Sequence, residues 1–122
     1  VADHIAGKPC KQLHYERIPS CVYCNPETAM VGLTEEQARA TGRDVGVGTF
    51  SLSGNGKALT MGDAEGMVKV IAAKDKSRLL GVHIIGPNAS DLIAEAAIAM
   101  NGMFTVEEQP VSCTGIPRSQ SL

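Results

Sequence analysis

The chain has 122 residues, 43% of them apolar and 20% charged, with a formal net charge of −2. That length suits one domain able to bury a core without disulfide or metal staples, and the composition is that of a globular rather than a disordered chain. The slightly acidic balance, with two Tyr, two Phe and no Trp, excludes both the basic surface that nucleic-acid binding needs and a base-stacking platform.

No apolar run approaches the roughly 20 residues of a membrane span. The start, Val1-Ala2-Asp3-His4, has neither the basic nor the apolar region of a signal peptide. It also lacks Met, so a processed or excised product is expected. Without a secretory signal, Cys10, Cys21, Cys24 and Cys113 are expected as free thiols in a reducing compartment.

In chain order, His4 to Lys8 reads as a frayed helix end, closed by Gly7 and Pro9. Ile18 to Tyr23 has strand composition and is stopped by Asn25-Pro26. Ala29 to Leu33 is a second short strand. Thr34-Glu35-Glu36-Gln37 matches a capping box, with two carboxylates in the first turn to suit the helix dipole. That helix stops at Gly42. Asp44 to Leu52 reads as a strand running into a Ser53-Gly54-Asn55-Gly56 loop. Gly66 to Ala72 and Arg78 to Ile85 read as the two arms of a hairpin. Gly86-Pro87 breaks the second arm.

Ser90 to Asn101 is a strong helix ending at Gly102. Only Asp91, Glu95 and Asn101 are clearly polar in it, so its apolar surface covers most of the circumference. Such a helix must be covered on more than one side. Leu92, Ile93, Ala96, Ala97 and Met100 are therefore expected to include the contact with a second chain. Another helix start is expected at Thr105 to Glu108. The element order predicts an α+β fold with a largely antiparallel sheet and helices packed on one face.

Candidate chemistry is sparse. Cys21 and Cys24 form a CxxC, but in a strand rather than at the helix N-terminus that activates such thiols. Alternating strand geometry would send them to opposite faces. A zinc site would need further ligands, and Cys10 and His14 are near in sequence. A small thiol-redox or zinc-binding protein using Cys21 and Cys24 is the alternative function, against two incidental thiols. His83 reads as a satisfied half-buried histidine. No glycine loop joins a strand to a helix in a phosphate-binding pattern.

Several segments carry a resemblance. They are Ile18 to Glu27, Val31 to Ala38, Gly66 to Val70, Leu80 to Pro87 and Asp91 to Ala97. In order, they resemble the C-terminal interface domain of the lipoamide dehydrogenase family of flavoprotein disulfide reductases. His4-Ile5-Ala6-Gly7 resembles the last helix of the flavin domain that precedes it. The resemblance implies residues 1–17 as flavin-domain end and connector, 18–113 as interface domain, and 114–122 as a divergent tail. It implies a homodimer that also contacts the parent's flavin domain. The parent would oxidise dihydrolipoamide with NAD through FAD and a redox-active disulfide, in the cytoplasm or a mitochondrial matrix. No cofactor is expected in this chain.

In that family the domain ends in His-x-His-Pro-Thr-x-Ser-Glu. The second His is the acid/base near the partner's flavin, and the Glu orients it. Aligning Pro117 with the motif proline puts Ile116 at the His and Ser121 at the Glu. Neither transfers a proton at neutral pH. The backbone of Ile116 and Pro117 would still lie near the partner's flavin. A single-base deletion near Cys113 would account for the departure. One codon set, CAC GGG CAT CCC ACG CTC TCA GAG TCT, encodes His-Gly-His-Pro-Thr-Leu-Ser-Glu-Ser. Without its first base, and with any base added at the end, it reads Thr-Gly-Ile-Pro-Arg-Ser-Gln-Ser-Leu, the tail from Thr114 to Leu122.

Overall fold

A computed structural model describes residues 1–10, 12–62, 65–75 and 78–102. The expected helix start at Thr105 and the tail with Ile116, Pro117 and Ser121 lie outside the described residues. A short helix α1 (Ala2–Ile5) buries none of its residues. Strands β1 (Ser20–Val22) and β2 (Thr28–Gly32) follow, then helix α2 (Glu35–Ala40) and strand β3 (Val45–Ser51). A 3-10 turn at Leu52–Gly54 leads into α3 (Gly56–Met61). Strands β4 (Met67–Ala73) and β5 (Leu79–Ile85) precede the long helix α4 (Ala89–Asn101).

The five strands make one sheet in the order β1-β2-β5-β4-β3, every neighbouring pair antiparallel. The α+β antiparallel architecture expected from the element order is thus present. On one face the register lines up Ala29, Ile84 and Val68 in one row and Val31, Val82 and Val70 in the next. The α4 residues Ala89, Ile93, Ala96, Ala97, Ala99 and Met100 pack on these rows as the main core. Burial of Ile93, which is 2% exposed, contributes roughly 2 kcal/mol of hydrophobic stabilisation. Helix α3 joins the same core through Ala58, beside Leu52.

The opposite face is covered at one end only. There Ala38 of α2 packs with Val45, Ile71, Ala73 and Leu80. A register shift at Ile71/Ala72 makes this possible. Ala72 pairs with Leu79 and Ile71 with Gly81, so Leu80 bulges out and joins the second cluster while Leu79 stays in the first.

The capping box on α2 is complete: Thr34 Oγ1 accepts from the Gln37 amide at 3.2 Å, and Gln37 Oε1 accepts from the Thr34 amide at 3.0 Å. Helix α3 falls where the sequence reads as a glycine-rich loop. Asn55 starts it, its Oδ1 accepting from the Ala58 amide at 3.4 Å.

Candidate functional site

The candidate site is α4, and the structure changes which of its residues face outward. Ile93, Ala96, Ala97 and Met100 are buried in the chain's own core, and Leu92 is half-buried against it. Four of the five side chains expected at a contact with another chain are therefore already used by the sheet. The sheet takes the widest apolar stripe because it covers β1, β2 and β5 together. The outward row is Asp91, Ala94 and Ile98, flanked by half-buried Glu95. Their spacing of three and four residues aligns them on one side of the helix. Ile98 is 68% exposed, a large aliphatic side chain at the C-terminal end of that row.

The start of α4 is held from a distance. Glu27, in the turn before β2, accepts through Oε2 from the Ser90 amide at 3.2 Å and the Ser90 hydroxyl at 2.8 Å. Its backbone carbonyl accepts from the Gly86 amide at 2.9 Å. No local pattern in the sequence announces this pairing, because 63 positions separate the partners.

The candidate chemical groups fall as follows. Cys21 lies in β1, half-buried against the main core, and Cys24 is exposed in the following turn. The Cys24 thiol lies 3.0 Å from the Pro26 carbonyl oxygen. Both are free thiols, as is the exposed Cys10. Among the described residues no group of three His, Cys, Asp or Glu side chains converges on a metal position. His83 is the satisfied half-buried histidine that its strand position suggests, with Nε2 3.1 Å from the Leu33 carbonyl oxygen. On the same sheet face, Glu35 bridges Lys69 at 2.6 Å and Arg39 at 2.8 Å. The hydrogen bond from Lys69, then that from Arg39, lowers the Glu35 pKa below its ordinary value.

Gly86, at the junction of β5 and α4, faces its own chain: a Cβ there would stand 2.6 Å from Leu52 Cδ1 and 3.1 Å from the Glu65 carbonyl oxygen. The space beside the Gly86 backbone, where a phosphate would approach the start of α4, is filled by packing.

The described residues thus form an antiparallel five-stranded sheet carrying one long helix with an exposed aliphatic side chain. Comparison with known proteins identifies the domain. The family model for the dimerisation domain of pyridine nucleotide-disulphide oxidoreductases matches residues 18–118, and the chain belongs to that family. It is 49% identical over 92 residues to dihydrolipoyl dehydrogenase of Rhizobium etli, covering 75% of this chain and 19% of that protein. It is 48% identical over 115 residues to mitochondrial dihydrolipoyl dehydrogenase of Pisum sativum, covering 94% of this chain and 23% of that one. The chain thus spans about a fifth to a quarter of the length of these relatives. Two solved structures share the fold. LpdA of Mycobacterium tuberculosis aligns with a TM-score of 0.83 at 24% identity, over 98% of this chain and 26% of that one. The HOCl-induced flavoprotein disulfide reductase RclA of Escherichia coli aligns at 0.81 and 24%, over 96% and 28%.

Proposed function

We propose that this chain serves a dihydrolipoyl dehydrogenase-type flavoenzyme as its dimer-forming domain, and that it performs no catalysis alone. The observation that carries this reading is near-half identity to dihydrolipoyl dehydrogenases across almost the whole chain. The parent would oxidise dihydrolipoamide with NAD through FAD and a redox disulfide, all held by domains outside these residues. The thiol or zinc alternative resting on Cys21 and Cys24 loses ground to that match. Among the described residues no helix is long and apolar enough to cross a membrane, and the relatives fit a parent in the cytoplasm or the mitochondrial matrix.

The association surface in this reading is the Asp91, Ala94 and Ile98 row of α4, meeting the same row of a second copy about a two-fold axis. Leu92 extends it from the flank. The parent's flavin domain would be a second partner, joined through residues 1–17. At the other end, Ile116 and Ser121 replace the family's His and Glu. Domains of the parent built with this tail would lack the proton shuttle that the dithiol requires.

Two measurements test the reading. Sedimentation across a concentration series should show a monomer–dimer equilibrium and no bound flavin absorbance. Sequencing the coding DNA should reveal flavin- and nicotinamide-binding domains upstream, and His-x-His-Pro in a neighbouring frame at codons 114–122. A concentration-independent monomer overturns the association surface, and codons that cannot be re-read overturn the frame-shift.

A further inference from the structure

The long helix poses a problem of rotation. Leu92, Ile93, Ala96, Ala97, Ile98, Ala99 and Met100 place apolar groups almost all round it. Hydrophobic burial fixes how a helix turns on a sheet only when one side is apolar and the other polar. Asp91, Glu95 and Asn101 lie on the outward side with Ile98, so burial opposes turning that side inward, yet it leaves open the angle at which Leu92 and Ile98 flank the sheet. A polar contact from outside the helix can set that angle.

Glu27 is placed to do so. Asn88 occupies the N-cap of α4 in the left-handed conformation, φ 59°, and its side chain makes no capping hydrogen bond. The amide of Ser90, one of the helix's unpartnered donors, is satisfied instead by the Glu27 carboxylate. The Ser90 hydroxyl donates to the same oxygen. The negative charge also suits the positive end of the helix dipole. Glu27 thus reaches α4 from outside the helix, whereas the Asn101 side chain bonds within it, to the Ala97 carbonyl oxygen at 2.9 Å.

The far end of α4 meets the same strand. A Cβ at Gly32, the last residue of β2, would stand 2.6 Å from Met100 Cε. Glu27 immediately precedes Thr28, the first residue of β2. The helix is therefore held at both ends against one strand, with the polar tie at its start. We propose that Glu27 is a positioning residue for the association surface: it bonds the first turn of α4 and holds the helix at the angle that turns Asp91, Ala94 and Ile98 outward. This rests on the reading that α4 meets a second copy of the chain.

The test compares wild type with Glu27→Ala, Glu27→Gln and Thr34→Ala. The last removes a cap from α2 and serves as a stability control distant from α4. Sedimentation gives the dimer dissociation constant, and thermal unfolding gives the stability. Glu27→Ala should weaken association by about tenfold, the size of one lost cap. Thr34→Ala should leave association unchanged at a similar loss of stability. Glu27→Gln keeps an oxygen acceptor and should recover most of the affinity. A second readout needs no dimer: a soluble paramagnetic agent, with methyl signals recorded by NMR, reports the exposure of Ile98 relative to Leu92. That contrast should be large in wild type and shrink in Glu27→Ala. A wild-type chain that never dimerises overturns the α4 surface, while the methyl contrast still decides Glu27. A contrast unchanged in Glu27→Ala, or equal loss of affinity in Glu27→Ala and Thr34→Ala, overturns the positioning role.

Discussion

Among the described residues, Glu35 is an ionisable side chain whose surroundings have a clear consequence for pH. Lys69 and Arg39 both bond its carboxylate and lower its pKa in the folded chain. In the unfolded chain it titrates near the ordinary value of about 4.3. Its stabilising effect is therefore complete above that value and lost as pH falls through the lower folded one. Glu35→Gln should lower the denaturant midpoint at pH 7 and low salt, and the gap from wild type should close as pH falls below the ordinary carboxylate value and through the lowered one. High salt should narrow it too, because all three groups are partly solvated. A gap that persists in acid would show that packing, not charge, is responsible. Gly81 makes a different kind of demand. A Cβ there would overlap the Leu33 carbonyl oxygen, backbone that is itself fixed by the Leu33 amide bonding to the Leu80 carbonyl at 2.9 Å. Gly81→Ala should cost at least about 2 kcal/mol by chemical denaturation, since neither backbone segment can give way.

At the scale of elements, the strands and two main helices are legible because each follows a local rule. Thr34 and Gln37 are three positions apart, and the box they form is a property of that spacing. Thr34→Ala should cost about 1 kcal/mol in a thermal or denaturant melt; no measurable loss would mean water caps α2 equally well. What the sequence hides is what depends on distant partners. Helix α3 starts at Gly56, a residue that locally argues against a helix, and it persists because Ala58 packs beside Leu52 in the main core. The turn of α4 on the sheet is only partly hidden: Asp91, Glu95 and Asn101 mark the outer side, but nothing local sets Ile98, which lies among them, apart from buried Ile93. Glu27 meeting Ser90 across 63 positions is equally invisible. The order of segments from Ile18 to Ala97 carries the family.

At the scale of the whole molecule, the sheet has one face closed by α4 and another only partly closed by α2, so the domain presents unfinished surface in two directions. Val22, Met30, Met67 and Ile85 on the partly open face are between 37% and 52% exposed, a scatter of half-covered side chains ordinary for a soluble surface. Ile98 differs in degree and setting: 68% exposed, it is flanked on its row by Ala94, whose small side chain lets another helix approach closely. Two such helices packed about a two-fold axis would set each Ile98 against its counterpart or against Ala94, removing both from water. Ile98→Asp should then abolish dimerisation at micromolar concentrations. A charge buried without a partner costs several kcal/mol at an interface, more than the margin of a micromolar complex tolerates. The same substitution should leave the melting temperature of the monomer nearly unchanged, because an exposed helical position contributes little to the fold. That separation gives the experiment its force. Loss of the dimer together with loss of the fold would mean that Ile98 supports the core, and a dimer that survives Asp at this position would move the contact to another face of the domain.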